Sequence, residues 1–91
     1  MTRIRWTTEA ADQLGDIVKH IQQASPEAAQ KTAKAILERI EGLKRFPRLG
    51  RPGEEVGGTR ELHSPPYVIV YRIKNDVVEI LYIWHGAQDW R

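Results

Sequence analysis

The hydrophobic pattern changes period once in the body of this chain, and that change constrains the fold more than any other feature. Ala11, Leu14, Val18 and Ile21, with Ile17 beside them, recur at helical spacing, and so do Ala29, Ala33, Ile36, Ile40 and Leu43. From Thr59 onward the pattern is that of strands, rich in β-branched and aromatic residues. Between the two regimes, Pro47 to Gly58 is rich in glycine, proline and charge and reads as a loop. Helices that precede a run of strands, rather than alternating with them, point to an α+β fold.

The boundaries follow from local chemistry. Arg3 to Trp6 reads as a short strand with Ile4 and Trp6 on one face. Thr7 or Thr8 supplies an N-cap, and Glu9 and Asp12 lie near the positive end of the helix dipole, so the first helix runs from about Thr8 to Gln23. Ser25-Pro26-Glu27 starts a second helix, and Phe46-Pro47 stops it. So short a connection predicts an antiparallel helical hairpin. Thr59 to Ser64 is a candidate strand, which Pro65-Pro66 interrupts. Tyr67 to Ile73 and Val77 to Trp84 are strong strands joined by the turn Lys74-Asn75-Asp76. The predicted order is β-α-α-β-β-β, with the hairpin packed on one face of a mostly antiparallel sheet. Leu14, Val18, Ile36, Ile40, Ile69 and Tyr71 are expected to share one core.

Several functional classes fall away. At 91 residues the chain suits one domain over its whole length, with little room for a separate cofactor domain. With no cysteine, it has no disulfide framework or thiolate metal site. The three histidines lack metal-ligand spacing, and there is no glycine-rich phosphate loop or nucleophile elbow, so no metal or cofactor is expected. No apolar run approaches the roughly 20 residues of a membrane span, and MTRIRWTTEA is too polar for a signal peptide. A cytoplasmic protein is expected. Net charge is only +2, but Lys44, Arg45, Arg48 and Arg51 fall in KRFPRLGR, which holds no acid. That patch suits a polyanion or an acidic partner, or is a solvated loop.

Strand alternation sorts the remaining candidates. Tyr67, Ile69, Tyr71 and Ile73 share a face, opposite Val68, Val70 and Arg72. On the last strand Val78, Ile80, Tyr82 and Trp84 oppose Val77, Glu79, Leu81, Ile83 and His85. Only one sheet face can be covered by the helices. His85 ends the last strand and can act as acid or base, with Asp89 four residues on to orient it; alternatively His85 caps the sheet edge and Asp89 caps a turn. Arg60 and Arg72, inside strands, can clamp a phosphate or carboxylate, or pair with Glu61, Glu79 or Asp89. His20 and His63 read as surface residues. Trp6 and Trp84 read as core rather than a base-stacking platform, and Trp90 is open to either reading.

Taken in order, these segments resemble the RelE/ParE family of toxins over nearly the whole chain. The matching features are Trp6 before a helix with Ala11, Leu14 and Ile17; IxxLxxFPxxGRP from Ile40 to Pro52; GTREL from Gly58; YVIVYRI from Tyr67; and VEILYIWHGAQDW from Val78. The resemblance implies a toxin neutralised by a cognate antitoxin that lays a helix or strand over exposed apolar surface. Leu14, Val18, Arg48 and Arg51 are the expected antitoxin contacts. RelE-like members cleave messenger RNA on the ribosome, whereas ParE-like members poison DNA gyrase. Ribonuclease members carry an arginine after the tyrosine that begins the YxLVY strand and a basic residue after the position of His85. Here these are Val68 and Gly86. The ParE-like branch is therefore expected, with His85, Asp89, Trp90 and Arg72 as target contacts. On the ribonuclease alternative, His85, Arg60 and Arg72 would be catalytic. A non-toxic protein that keeps only the antitoxin-binding surface is a third reading.

Overall fold

The computed structural model describes residues 2–53 and 58–86. One five-stranded sheet has the order β1-β5-β4-β3-β2, with β1 Arg3–Trp6, β2 Arg51–Pro52, β3 Thr59–Ser64, β4 Tyr67–Lys74 and β5 Val77–His85. β1 runs parallel to β5 and every other neighbouring pair is antiparallel. Helices α1 (Thr8–Gln22) and α2 (Pro26–Glu41) pack on each other, α1 against β5 and α2 against β3. The expected α+β architecture is present. The short strand β2, inside what reads as a loop, is an addition. Among the described residues no helix is long and apolar enough to cross a membrane.

Both helix starts are capped as their sequences dictate. The Thr7 hydroxyl accepts from the Ala10 N–H at 3.1 Å, and the Ser25 hydroxyl accepts from the Ala28 N–H at 3.1 Å. Such caps contribute about 1 kcal/mol each. The Thr7 hydroxyl also donates to the Ile80 carbonyl at 2.8 Å, tying the start of α1 to the middle of β5. Between β4 and β5, Asn75 and Asp76 both take positive φ (51° and 63°), the conformation a two-residue hairpin turn requires.

The core joins Ala10, Ile36, Ile40 and Leu43 to Leu62, Ile69, Tyr71, Val78, Ile80 and Ile83. Leu14 and Ile17 pack against it half-buried. Two expectations need correction. Ala10, not Ala11, is the buried alanine of α1, and Ala11 is exposed. Val18 is half-buried but lies outside this core cluster.

A larger correction concerns β5. Tyr71 pairs with Ile80 while Val70 pairs with Tyr82, so Leu81 is an extra residue in the strand. This bulge interrupts alternation. Before it, Val78 and Ile80 face the helices; after it Ile83 does, at 2% exposure. Tyr82, 37% exposed, and Trp84 pass to the open face, where their rings stack 5.8 Å apart. The expected grouping of Tyr82 and Trp84 with Val78 and Ile80 fails because one residue resets the phase. Trp6 packs against the core as expected, whereas Trp84 does not join it.

Candidate functional site

On the open face, register assembles a charged row across three strands. Arg5 on β1 and Arg72 on β4 both lie level with Glu79 on β5. Arg72 Nε donates to Glu79 Oε1 at 2.5 Å, and an Arg5 terminal nitrogen lies 2.8 Å from Glu79 Oε2. Glu79 is only 8% exposed, so its charge requires these partners. The Arg72 hydrogen bond, foremost, holds its carboxyl below the usual range against the opposing effect of burial. Further along the same face Glu61 lies level with Val70, with Arg51 at 3.6 Å and His63 Nε2 at 4.0 Å.

On the helix-covered face the strands hold a loop in place. Tyr71 is fully buried, and burial pushes its phenol up. Its hydroxyl donates to the Pro47 carbonyl at 2.7 Å and accepts from the Gly50 N–H at 2.9 Å. Arg60, level with Tyr71, donates to the Gly50 carbonyl at 2.6 Å. Gly50 is required there, because a Cβ would stand 2.8 Å from both the Glu61 carbonyl oxygen and the Tyr71 ring. The segment from Phe46 to Arg51 is thus anchored from below. Yet Phe46 is 62% and Leu49 46% exposed, and Arg48 and Arg51 are exposed beside them. Sequence reasoning singled out the cations and passed over Phe46 and Leu49. The available signal was two large apolar residues inside an otherwise charged loop.

His85 lies at the other end of the sheet. It is level with Tyr67, and the two rings meet edge to face at 5.4 Å. The Gly86 N–H donates to the Pro66 carbonyl at 2.6 Å, and Gln13 accepts from the Ile83 N–H at 2.6 Å. A cleft of about 460 Å³ opens there, with Gln13, Asp16, Ile17 and His20 on its helix side and His85 opposite. The bulge puts His85 on the helix-covered side, not with Glu79 as alternation alone predicts. Asp89 and Trp90 lie outside the described residues. His20 and His63 are exposed.

The candidate catalytic trio is not brought together. Arg60 is level with Tyr71 and His85 with Tyr67, four residues or roughly 13 Å apart along β4. Arg72 is on the opposite face, paired with Glu79. Of the expected antitoxin contacts, Arg48 and Arg51 share the anchored loop, whereas Leu14 and Val18 lie on α1. Among the described residues, no group of three or more His, Asp or Glu side chains could hold a metal ion.

With this geometry in view, comparison with known proteins is informative. Residues 4–90 match the family model of the ParE toxin of the type II toxin–antitoxin system parDE. The chain is 41% identical over 90 residues to the protein Y4kP of Sinorhizobium fredii (strain NBRC 101917 / NGR234), covering 97% of this chain and 92% of that protein. Its fold is similar to a chain of the chromosomal ParDE toxin–antitoxin system from P. aeruginosa, with TM-score 0.81, 30% identity, and 93% and 96% of the two chains covered. It is also similar to a chain of the RelBE2 toxin–antitoxin complex from Mycobacterium tuberculosis, with TM-score 0.69, 28% identity, and coverage of 92% and 96%.

Proposed function

Because the chain belongs to the family of ParE toxins of type II toxin–antitoxin systems, we propose that it arrests growth by poisoning DNA gyrase and that a cognate antitoxin neutralises it. The observation that carries this reading is the dispersal of Arg60, Arg72 and His85. Metal-free RNA cleavage needs an acid, a base and charge stabilisation around one phosphate. Here Arg60 is engaged by a loop carbonyl, Arg72 by Glu79 on the other face, and His85 stands at the far end. Val68 and Gly86 occupy the two positions where the ribonuclease branch carries cations. Inhibition by binding does not require its groups to converge on one phosphate, so Arg72 on the open face and His85 at the far end of the sheet, with Asp89 and Trp90, are proposed as separate contacts.

The antitoxin is proposed to cover Phe46 and Leu49 on the loop and Leu14 and Val18 on α1. Exposed apolar side chains on an anchored loop lose little entropy when bound. Arg48 and Arg51 would attract acidic side chains and speed association. The alternative is the RelE-like reading that the sequence resemblance implies, a ribosome-dependent endonuclease acting on messenger RNA; similarity to a chain of the RelBE2 toxin–antitoxin complex is the reason to test it.

Two reactions decide the target: supercoiling by gyrase, and translating ribosomes read by primer extension, each with the purified toxin added. Gyrase inhibition with intact messenger RNA is expected. Codon-positioned cuts with normal supercoiling would overturn the proposal. On the gyrase reading, His85→Ala reduces toxicity only through lost contact, whereas on the alternative it abolishes cleavage.

A further inference from the structure

The end of the open face nearest the Asn75-Asp76 turn carries more positive charge than its ion pairs absorb. Register places Arg3 of β1 and Lys74 of β4 on either side of Val77, one row beyond Arg5, Glu79 and Arg72. Four cations therefore stand in two rows, on strands about 4.8 Å apart and with rows about 7 Å apart. Among the described residues the nearby carboxylates are Glu79 and, in the adjoining turn, Asp76. A cleft of about 280 Å³ is lined by Arg5, Arg72, Lys74, Asn75, Val77 and Glu79. The helices have the opposite balance, six acids against four bases over residues 8–41.

We propose that this end of the open face binds phosphate groups of a nucleic-acid backbone. Glu79 engages Arg72 through Nε and Arg5 through one terminal nitrogen. A guanidinium has five N–H donors in a fork that fits phosphate oxygens. The shared carboxylate thus holds two like charges side by side without using up their donors. Such contacts to backbone phosphates contribute affinity and orientation without sequence preference. The inference rests on the gyrase reading only for which nucleic acid is met. There it would be the duplex that gyrase holds; on the ribosomal alternative it would be RNA.

The test is fluorescence anisotropy of the full chain with a labelled DNA duplex and, separately, a single-stranded RNA of equal length. Both titrations run between about 50 and 200 mM salt, where phosphate contacts are read from the slope of log affinity against log salt. Arg3→Ala with Lys74→Ala removes two exposed cations that are outside the Glu79 pairs, and a circular dichroism melt should show the fold retained. This double variant should weaken binding and flatten the slope by roughly 2. Lys31→Ala with Lys34→Ala removes equal charge from α2 and should change it far less. The proposal is overturned if neither nucleic acid binds, or if both double variants lose equally. Preference for duplex or for RNA identifies the source, and either supports the site. A chain that binds DNA through this face yet leaves supercoiling untouched would defeat the gyrase reading and leave this one standing.

Discussion

The two faces of the sheet are made by the same strands and treat polar groups in opposite ways. On the helix side, Leu62, Ile69, Ile80 and Ile83 are at most 2% exposed, and the polar atoms at its rim, Tyr71 and Arg60, are turned to anchoring a loop. On the open side a nearly buried carboxylate sits between two arginines, beside stacked aromatic rings. The first face is stabilised by removal of apolar surface from water, the second by pairing of charge. Core packing therefore leaves the open face free to specialise in recognition.

The largest effect should come from exchanging the treatment of two neighbouring residues just beyond the bulge. Ile83→Asp buries an unpaired carboxylate at a cost of several kcal/mol, a large share of the roughly 5–15 kcal/mol a small domain has. Chemical denaturation should show it unfolded or nearly so. Tyr82→Asp loses mainly a ring contact of about 0.5–1.5 kcal/mol. If Tyr82→Asp proved the worse of the two, the assignment of faces would be wrong.

An intermediate effect tests the loop anchor. Tyr71→Phe keeps the ring in the core but leaves the Gly50 N–H and Pro47 carbonyl without their partner. The cost should be about 1–3 kcal/mol in a urea melt. Antitoxin affinity should fall along with it, since Phe46 and Leu49 lose their support. Unchanged affinity in the destabilised variant would separate the loop from antitoxin recognition.

The smallest effect is on the open face and depends on pH. The Glu79 carboxyl is held below its usual pKa, so its contribution is present above the ordinary glutamate value of about 4.3 and is lost as pH falls through the lowered one. Glu79→Gln should remove that part of the acid sensitivity, which thermal melts at falling pH would register as a shallower decline below about pH 4. An identical decline in both proteins would show that other carboxylates govern it.

Much of the fold was legible from period and punctuation. Ser25-Pro26 starts the second helix and Asn75-Asp76 marks the hairpin, because each acts through backbone geometry that travels with the residue; the helix nevertheless ends at Glu41, short of Phe46-Pro47, and passes into a 3-10 turn at Gly42–Lys44. The Leu81 bulge was not legible: it exists only in the pairing of β5 with β4. That one residue moved Tyr82, Ile83, Trp84 and His85 to faces other than those alternation assigned. The parallel placement of β1 was also hidden, since no local signal names a partner more than 70 residues away. Among the site residues, Arg72 beside Glu79 was readable as an open alternative. The role of Arg60 depended on a loop carbonyl that pattern cannot supply.

The pairing of β1 with β5 also has a consequence during synthesis. Arg3 to Trp6 are synthesised some 74 positions ahead of their partners Val77 to Ile80. At about 5–20 residues per second, the opening strand waits roughly 4–15 s for the segment that completes its ladder. Contacts of such separation also slow folding itself. A nascent chain interrupted anywhere before Val77 has no neighbour for β1 and no acceptor for the Thr7 hydroxyl. Truncated translation products should therefore be unfolded and cleared by proteases rather than partially poisonous.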